Sequence, residues 1–170
     1  LICNYNQLTN INVSNNTALT WLQVEQNPLT SIDVSSNTAL TVLYCSSNLL
    51  TNLDVSQNTA LASLNCNGNQ LISLNVRNGN YTNVWWFSCL NNPNLSCVSV
   101  DDASWSTANW TSIDPQHYFS NNCPLSAIQE HSTNKELLKI TDLLGQETPY
   151  RRNTPMFYIY DDGTVEKKII

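Results

Sequence analysis

Apolar and polar positions alternate along short stretches of this chain, and the whole pattern repeats about every 21 residues. In one period the apolar positions Leu40, Leu43 and Cys45 are followed by Asn48 and Leu50, and a weaker copy of the same pattern completes the period. Alternation with a period of two residues is typical of β-strands and not of helices. We therefore expect one short strand in each half of every period.

The period also aligns residues of the same kind in columns. Such columns are Leu22, Leu43 and Leu64, then Asn27, Asn48 and Asn69, then Cys3, Val24, Cys45 and Cys66, with a looser copy at Phe87, Cys89 and Asn92. Self-similarity of this kind predicts a solenoid, in which parallel strands of successive coils lie about 4.8 Å apart and no coil is stable alone. The leucines should point inward, and each Asn should satisfy backbone groups of a turn. Because Leu1 occupies the column of Leu22, we expect the chain to begin inside the array, with further repeats and a targeting segment upstream.

The spacing L-x-x-L-x-C-x-x-N-x-L resembles the signature of leucine-rich repeats, in the bacterial 21-residue form with an LDVSxNTAL second half. The resemblance covers residues 1–103. It implies a mainly β leucine-rich-repeat solenoid for that region.

After Arg77 the regular spacing ends, and aromatic residues appear where small polar residues stood before. The last coil of a solenoid needs a cap over its open core. We expect residues 104–124 to form that cap, with Trp85, Trp86, Trp105 and Trp110 as the bulky side chains available for it. A cluster of tryptophans could instead stack on sugar rings.

The six cysteines fall into two classes. Cys3, Cys45, Cys66 and Cys89 share the column of Val24, so they are interpreted as small buried hydrophobes. A metal ladder is not favoured, because no histidine accompanies them and their spacing is unlike that of zinc sites. Cys97 and Cys123 lie outside the column and flank the aromatic segment. We predict a disulfide between them, which stabilises the cap and implies an oxidising compartment.

Composition excludes several functions. A net charge of -6, with no basic patch on the repeats, argues against a nucleic-acid partner. No apolar run approaches the roughly 20 residues of a membrane helix, so no transmembrane segment is predicted.

Candidate chemistry is also sparse. His117 and His131 have no evident nucleophile or carboxylate partner, so no catalytic residue is predicted. The column of Asn12, Asp33, Asp54 and Asn75 could suggest calcium, but half of it is neutral amide and a hydrogen-bonded ladder explains it. We predict no metal and no cofactor.

Beyond residue 124 the charge pattern changes: the first 124 residues contain the single base Arg77, and the other six bases lie between Lys135 and Lys168. Residues 125–134 are polar and without periodicity, as expected of a linker. Residues 135–170 contain an alternating strand and then a hairpin around Asp161, Asp162 and Gly163, because a D-G turn between alternating runs is a strong hairpin signal. Such a short unit has little core of its own.

This tail resembles the C-terminal sorting signal of type IX secretion in Bacteroidota, through KELLKITDLLGQE and YIYDDGTVEKKII. The resemblance implies a small β-sandwich-like domain that shuttle and translocon proteins recognise and a sortase removes. It also implies export through the periplasm and outer membrane to the medium or the cell surface. The residues that carry this resemblance are Lys135, Leu138, Ile140, Asp142, Gly145, Tyr158, Tyr160, Asp162, Gly163, Thr164, Lys167 and Lys168.

Outward strand positions of the repeats form a candidate face for an unknown protein or glycan ligand: Trp21, Gln23, Glu25, Tyr44, Asn65 and Trp86. A merely solvated sheet face is the alternative.

Two functions follow from the sequence. One is a secreted or surface-displayed binding or adhesion protein without enzymatic activity. The other is an accessory repeat region of a larger secreted enzyme, for example one acting on polysaccharide, whose catalytic domain lies upstream.

Overall fold

The computed structural model describes residues 1–123, 137–141, 156–160 and 165–168. The chain forms two compact units, Leu1–Ser126 and Ala127–Ile170. Along the described chain the strands and the α-helix are β1 (Trp21–Gln23), β2 (Val42–Tyr44), β3 (Asn52–Asp54), β4 (Ser63–Asn65), β5 (Ser73–Asn75), β6 (Trp86–Ser88), β7 (Cys97–Ser99), α1 (Ala103–Asn109), β8 (Tyr118–Ser120), β9 (Leu137–Thr141), β10 (Met156–Tyr160) and β11 (Val165–Lys168), and a short 3-10 helix spans Tyr81–Asn83. No helix in this part of the chain is both long enough and apolar enough to cross a membrane.

The first unit is a solenoid with two parallel sheets. One sheet has the strand order β1-β2-β4-β6 and the other β3-β5-β7-β8. In the first sheet Leu22 pairs with Leu43, Leu43 with Leu64, and Leu64 with Phe87, so the leucine column of the sequence is a stack of buried side chains. The prediction of a mainly β leucine-rich-repeat fold with 21-residue coils is confirmed.

A column of asparagines links each coil to its neighbour. In Asn48 the Nδ2 atom donates hydrogen bonds to the backbone oxygens of Cys45 and Val24, at 3.1 and 3.0 Å. Its Oδ1 atom accepts a hydrogen bond from the backbone nitrogen of Leu29 at 3.1 Å. Equivalent bonds are made by Asn27, Asn69 and Asn92. The expected role of this column in satisfying backbone groups is confirmed.

The other asparagine and aspartate columns lie in the second half of the coils. Asn58 donates from Nδ2 to the backbone oxygens of Val34 and Asn37 in the preceding coil. In Asp33 and Asp54 one carboxylate oxygen accepts a hydrogen bond from the backbone nitrogen two residues later. These local hydrogen bonds account for the column of Asn12, Asp33, Asp54 and Asn75, which the sequence analysis attributed to hydrogen bonding.

The cap is built around Trp110 and helix α1. The Asp102 side chain caps the helix by accepting a hydrogen bond from the Trp105 nitrogen at 2.9 Å. Trp110 is buried and stacks on Phe87, the last inward residue of the first sheet, with ring centroids 4.4 Å apart. Trp105 packs edge-on against Trp110 and is partly buried against the core. These two tryptophans therefore cover the end of the core.

The expectation that Trp85 and Trp86 help to cover the core is wrong, because both are exposed. Trp86 pairs with Ser63 and occupies the outward position of its strand, while the next residue, Phe87, fills the inward position. Since successive strand residues point to opposite faces, Trp86 cannot face the core when Phe87 does.

The Cys97–Cys123 disulfide is present, as predicted, with the two Cα atoms 5.8 Å apart. It joins strand β7 to the segment that follows β8. Strand β8 itself pairs in parallel with β7, and Ser112 forms a bridge to Ser88, so both sheets of the solenoid continue alongside the cap.

The second unit contains an antiparallel sheet with the order β11-β10-β9. Ile159 pairs with Val165, and Met156 with Lys168, which is the register of a hairpin. The predicted turn at Asp162 and Gly163 lies outside the described residues. The described strands form one sheet, and the second layer of the sandwich-like arrangement stays a prediction.

Candidate functional site

The six residues predicted as a binding face lie on or beside the outward side of the first sheet. One row across the strands joins Trp21, Val42, Ser63 and Trp86, and the next joins Gln23, Tyr44, Asn65 and Ser88. Glu25 follows two positions after Gln23. We call the six predicted residues the outward face.

A single carboxylate organises the polar part of this face. Glu25 Oε1 accepts hydrogen bonds from Ser46 Oγ at 2.6 Å and from Asn65 Nδ2 at 3.4 Å. Its Oε2 accepts a hydrogen bond from Asn4 Nδ2 at 3.2 Å. The Glu25 side chain thus touches residues of three other coils, which holds it in one orientation.

A second polar contact extends the network towards β6. Asn67 Oδ1 accepts hydrogen bonds from Ser88 Oγ at 2.8 Å and from the backbone nitrogen of Leu90 at 2.7 Å. Sequence reasoning did not select Asn4, which lies 21 residues before Glu25. The repeat spacing itself is the signal that could have found it.

Two aromatic side chains form a ridge beside this network. Trp21 and Tyr44 pack edge to face with ring centroids 6.2 Å apart. The Tyr44 hydroxyl accepts a hydrogen bond from Ser63 Oγ at 3.1 Å. Val42 and Ser63 are buried although they point outward. The ridge of Trp21 and Tyr44 therefore covers part of the outward side of the sheet.

The cysteine column contains buried thiols with raised pKa values. Cys45, Cys66 and Cys89 are fully buried. Burial, together with the nearby Glu25 carboxylate, raises the pKa of the Cys45 thiol to about 12. Burial and the two neighbouring cysteines also raise the pKa of Cys66 well above its ordinary value. These thiols are neutral at physiological pH, so they act as small buried hydrophobes, as predicted. Cys3, the fourth cysteine of that prediction, is only partly buried.

The environment of His117 differs from the sequence-based expectation, which gave it neither a nucleophile nor a carboxylate nearby. His117 is buried, with Nδ1 3.6 Å from Cys89 Sγ and Nε2 3.5 Å from Asp114 Oδ2. The three residues resemble a nucleophile, base and orienting acid in composition. The Cys89 thiol is nevertheless inaccessible, and burial, with the charge of Asp114, raises its pKa to about 12.

Asp114 instead binds backbone groups at the last residue of the asparagine column, Asn92. Its two carboxylate oxygens accept hydrogen bonds from the backbone nitrogens of Asn91 and Asn92, both at 2.8 Å. Partial burial raises the pKa of Asp114, but these two hydrogen bonds and the neighbouring His117 outweigh burial and hold the pKa below its usual value. His117 Nε2 also lies 3.2 Å from the Asn92 backbone oxygen. The contacts around His117 are those of a satisfied structural histidine.

Half of the residues proposed to form the sorting signal can be placed. Leu138 and Ile140 are in β9, Tyr158 and Tyr160 in β10, and Lys167 and Lys168 in β11. Tyr158 pairs with Ile140 on one side and with Glu166 on the other. The other six lie outside the described residues: Lys135, Asp142, Gly145, Asp162, Gly163 and Thr164.

In the residues that the structure describes, no group of three or more His, Cys, Asp or Glu side chains is arranged to hold a metal ion. No protein-family model and no curated protein matches the chain.

Among solved structures, the chain is similar to the functional domain of InlJ from Listeria monocytogenes, which includes a cysteine ladder. The TM-score is 0.52 and the sequence identity 27%, over 70% of this chain. The chain spans 28% of the length of that InlJ structure. The similarity agrees with a leucine-rich-repeat solenoid.

Proposed function

We propose that this protein is a secreted or cell-surface leucine-rich-repeat binding protein without enzymatic activity, exported as cargo of type IX secretion. The observation that carries the binding role is the outward face, where side chains of successive coils are fixed by contacts with one another. Glu25 is held by Ser46, Asn65 and Asn4, and Tyr44 by Ser63. Fixing a surface before binding lowers the entropy lost when a partner docks.

The chemistry of this face suits a protein loop or a glycan. Trp21, Tyr44 and Trp86 offer aromatic surface, and Gln23 and Asn65 offer amides. Aromatic residues dominate the energetics of binding sites, while amides supply adaptable hydrogen bonds. Glu25 is its one ionisable carboxylate, so the face should favour a neutral or weakly basic partner.

The binding role can be tested on the full chain with a glycan and cell-surface screen. Replacing Trp21 and Tyr44 by Ala should abolish most of the signal of at least one ligand that binds the native protein. Tyr118→Ala is the matched control, because Tyr118 is an exposed aromatic on the second sheet. If the double variant and the native protein bind every positive surface equally, the outward face has no binding role.

The export role is supported by the pairing of strands β9, β10 and β11 in the tail. Strands β9, β10 and β11 coincide with the two segments that resemble the sorting signal. In the order β11-β10-β9, two strands form edges, and an edge strand can add to the sheet of a partner. A signal that works on many cargo proteins has to be readable apart from the fold that it accompanies. Shuttle and translocon proteins are the partners proposed for this sheet, with a sortase removing it afterwards.

A fusion experiment tests export separately from binding. A fluorescent protein joined to residues 125–170, with a periplasmic export signal, should reach the medium or cell surface of a bacterium that has type IX secretion. Deleting residues 158–170 should leave the fusion in the periplasm, and a scrambled tail of equal composition is the control. Equal export of all three fusions would contradict the proposed signal.

A further inference from the structure

An open pocket lies beside the cap, between the segment of strand β6 on one side and helix α1 with the residues that follow it on the other. Its volume is about 330 Å³. Val84, Trp85 and Trp86 line one side, and Trp105, Asn109 and Trp110 line the other. The stacked rings of Phe87 and Trp110 and the bridge between Ser88 and Ser112 hold the two sides together.

The tryptophans on the β6 side are not needed to fill the core. Trp85 is 69% exposed and Trp86 is 49% exposed. Trp86 pairs with Ser63, so a large ring replaces the small side chain of the preceding coil. Large exposed apolar groups that are grouped together mark binding sites on soluble proteins.

No residue lining the pocket carries an ionisable side chain. The polar members are three hydroxyl residues, Thr82, Thr111 and Ser112, and the amide residue Asn109. Asn109 Nδ2 donates a hydrogen bond to the Trp105 backbone oxygen at 2.8 Å, which fixes the orientation of the amide. The site therefore combines flat aromatic surface with neutral hydrogen-bonding groups.

We propose that this pocket binds a neutral sugar ring of an oligosaccharide or polysaccharide. One face of a pyranose presents C–H groups that can lie on an indole, and its rim presents hydroxyls that can meet Thr, Ser and Asn side chains. The volume is at the lower end of the roughly 300–1,000 Å³ found for ligand pockets, which suits one or two sugar rings. An organic cation is the competing ligand of an aromatic cage, but a carboxylate that would favour a cation is absent from the lining.

This inference goes beyond the proposed function and does not depend on it. Trp86 belongs to both the outward face and the pocket, whereas Trp85 and Asn109 line only the pocket. Substitutions at Trp85 and Asn109 therefore separate the two sites.

The test is a titration of the full chain, followed by tryptophan fluorescence, with neutral cello-, manno-, xylo- and chito-oligosaccharides. Oligogalacturonate and tetramethylammonium serve as the acidic and cationic probes. We expect saturable binding of at least one neutral oligosaccharide and weaker or no binding of the two charged probes. Trp85→Ala should raise the dissociation constant at least tenfold, and Asn109→Ala severalfold.

Tyr118→Ala is the matched control, because Tyr118 is 51% exposed and does not line the pocket. Its affinity should stay within twofold of the native value, and circular dichroism should show all variants folded. Three results would each overturn the proposal: no saturable signal with any neutral oligosaccharide, equal affinity in Trp85→Ala, or preference for tetramethylammonium.

Discussion

The backbone nitrogen of Leu29 donates a 3.1 Å hydrogen bond to Oδ1 of Asn48, a residue 19 positions later in the next coil. The same Asn48 donates to Val24 in the earlier coil and to Cys45 in its own. One buried amide therefore satisfies three backbone groups that water cannot reach. Stacking of the coils depends on this bond set as well as on leucine packing.

We expect Asn48→Ala to lower the free energy of unfolding by at least about 2 kcal/mol, because each buried polar group that loses its partner costs about 1–3 kcal/mol. Asn52→Ala is the control, since the Asn52 side chain is exposed and contacts the neighbouring Thr51 hydroxyl. Its effect should stay within about 0.5 kcal/mol. Chemical denaturation followed by circular dichroism measures both. Equal stability of the two variants would show that the asparagine column does not stabilise the stack.

The cysteine column should resist modification in the native protein. Cys45, Cys66 and Cys89 are buried, and the thiolate, not the thiol, is the reactive form. Iodoacetamide at about pH 8, near the ordinary thiol pKa, should modify the partly exposed Cys3 and spare the other three. Adding a denaturant should make all four react, and peptide mass spectrometry reads the sites. Rapid native labelling of Cys66 would contradict its burial.

The disulfide should stabilise the cap more than the coils far from it. Replacing Cys97 and Cys123 by Ala removes the cross-link between β7 and the segment after β8. We expect a loss of about 2–4 kcal/mol, because the bridge closes a loop of 26 residues and restricts the unfolded chain. Dithiothreitol should destabilise the native protein and leave the double variant unchanged. Hydrogen exchange should rise first in α1 and β8; an unchanged exchange pattern would argue against a role in the cap.

Asp114 should make the solenoid sensitive to acid. Its pKa in the folded chain is below the ordinary value of 3.8. A lowered pKa means that the stabilisation is present above the unfolded pKa and is lost as the pH falls through the folded pKa. We therefore expect the native protein and Asp114→Asn to differ most in stability at neutral pH and to converge below about pH 4. Thermal unfolding across this range measures the difference, and a gap that does not narrow in acid would contradict the assignment.

The repeat region could be predicted from sequence because its information is local and periodic. A leucine every 21 residues has to occupy the same place in each coil, so the inward columns, the asparagine ladder and the buried cysteines follow from spacing alone. The same reasoning placed Trp21, Tyr44 and Glu25 on one outward face. Cys97 and Cys123 could be paired because they were the two cysteines that the column did not explain.

Where the 21-residue period breaks, only the tertiary structure determines which residues are buried and which coils they contact. After Arg77 the spacing is kept only loosely, so the exposure of Trp85 and the burial of Trp110 depend on how the cap helix packs. The approach of His117 to Cys89, 28 residues apart, likewise arises from the cap closing over the last coil. Glu25 has partners in other coils, and its orientation depends on all of them together. Such contacts are set by packing between segments distant in sequence, which no local pattern encodes.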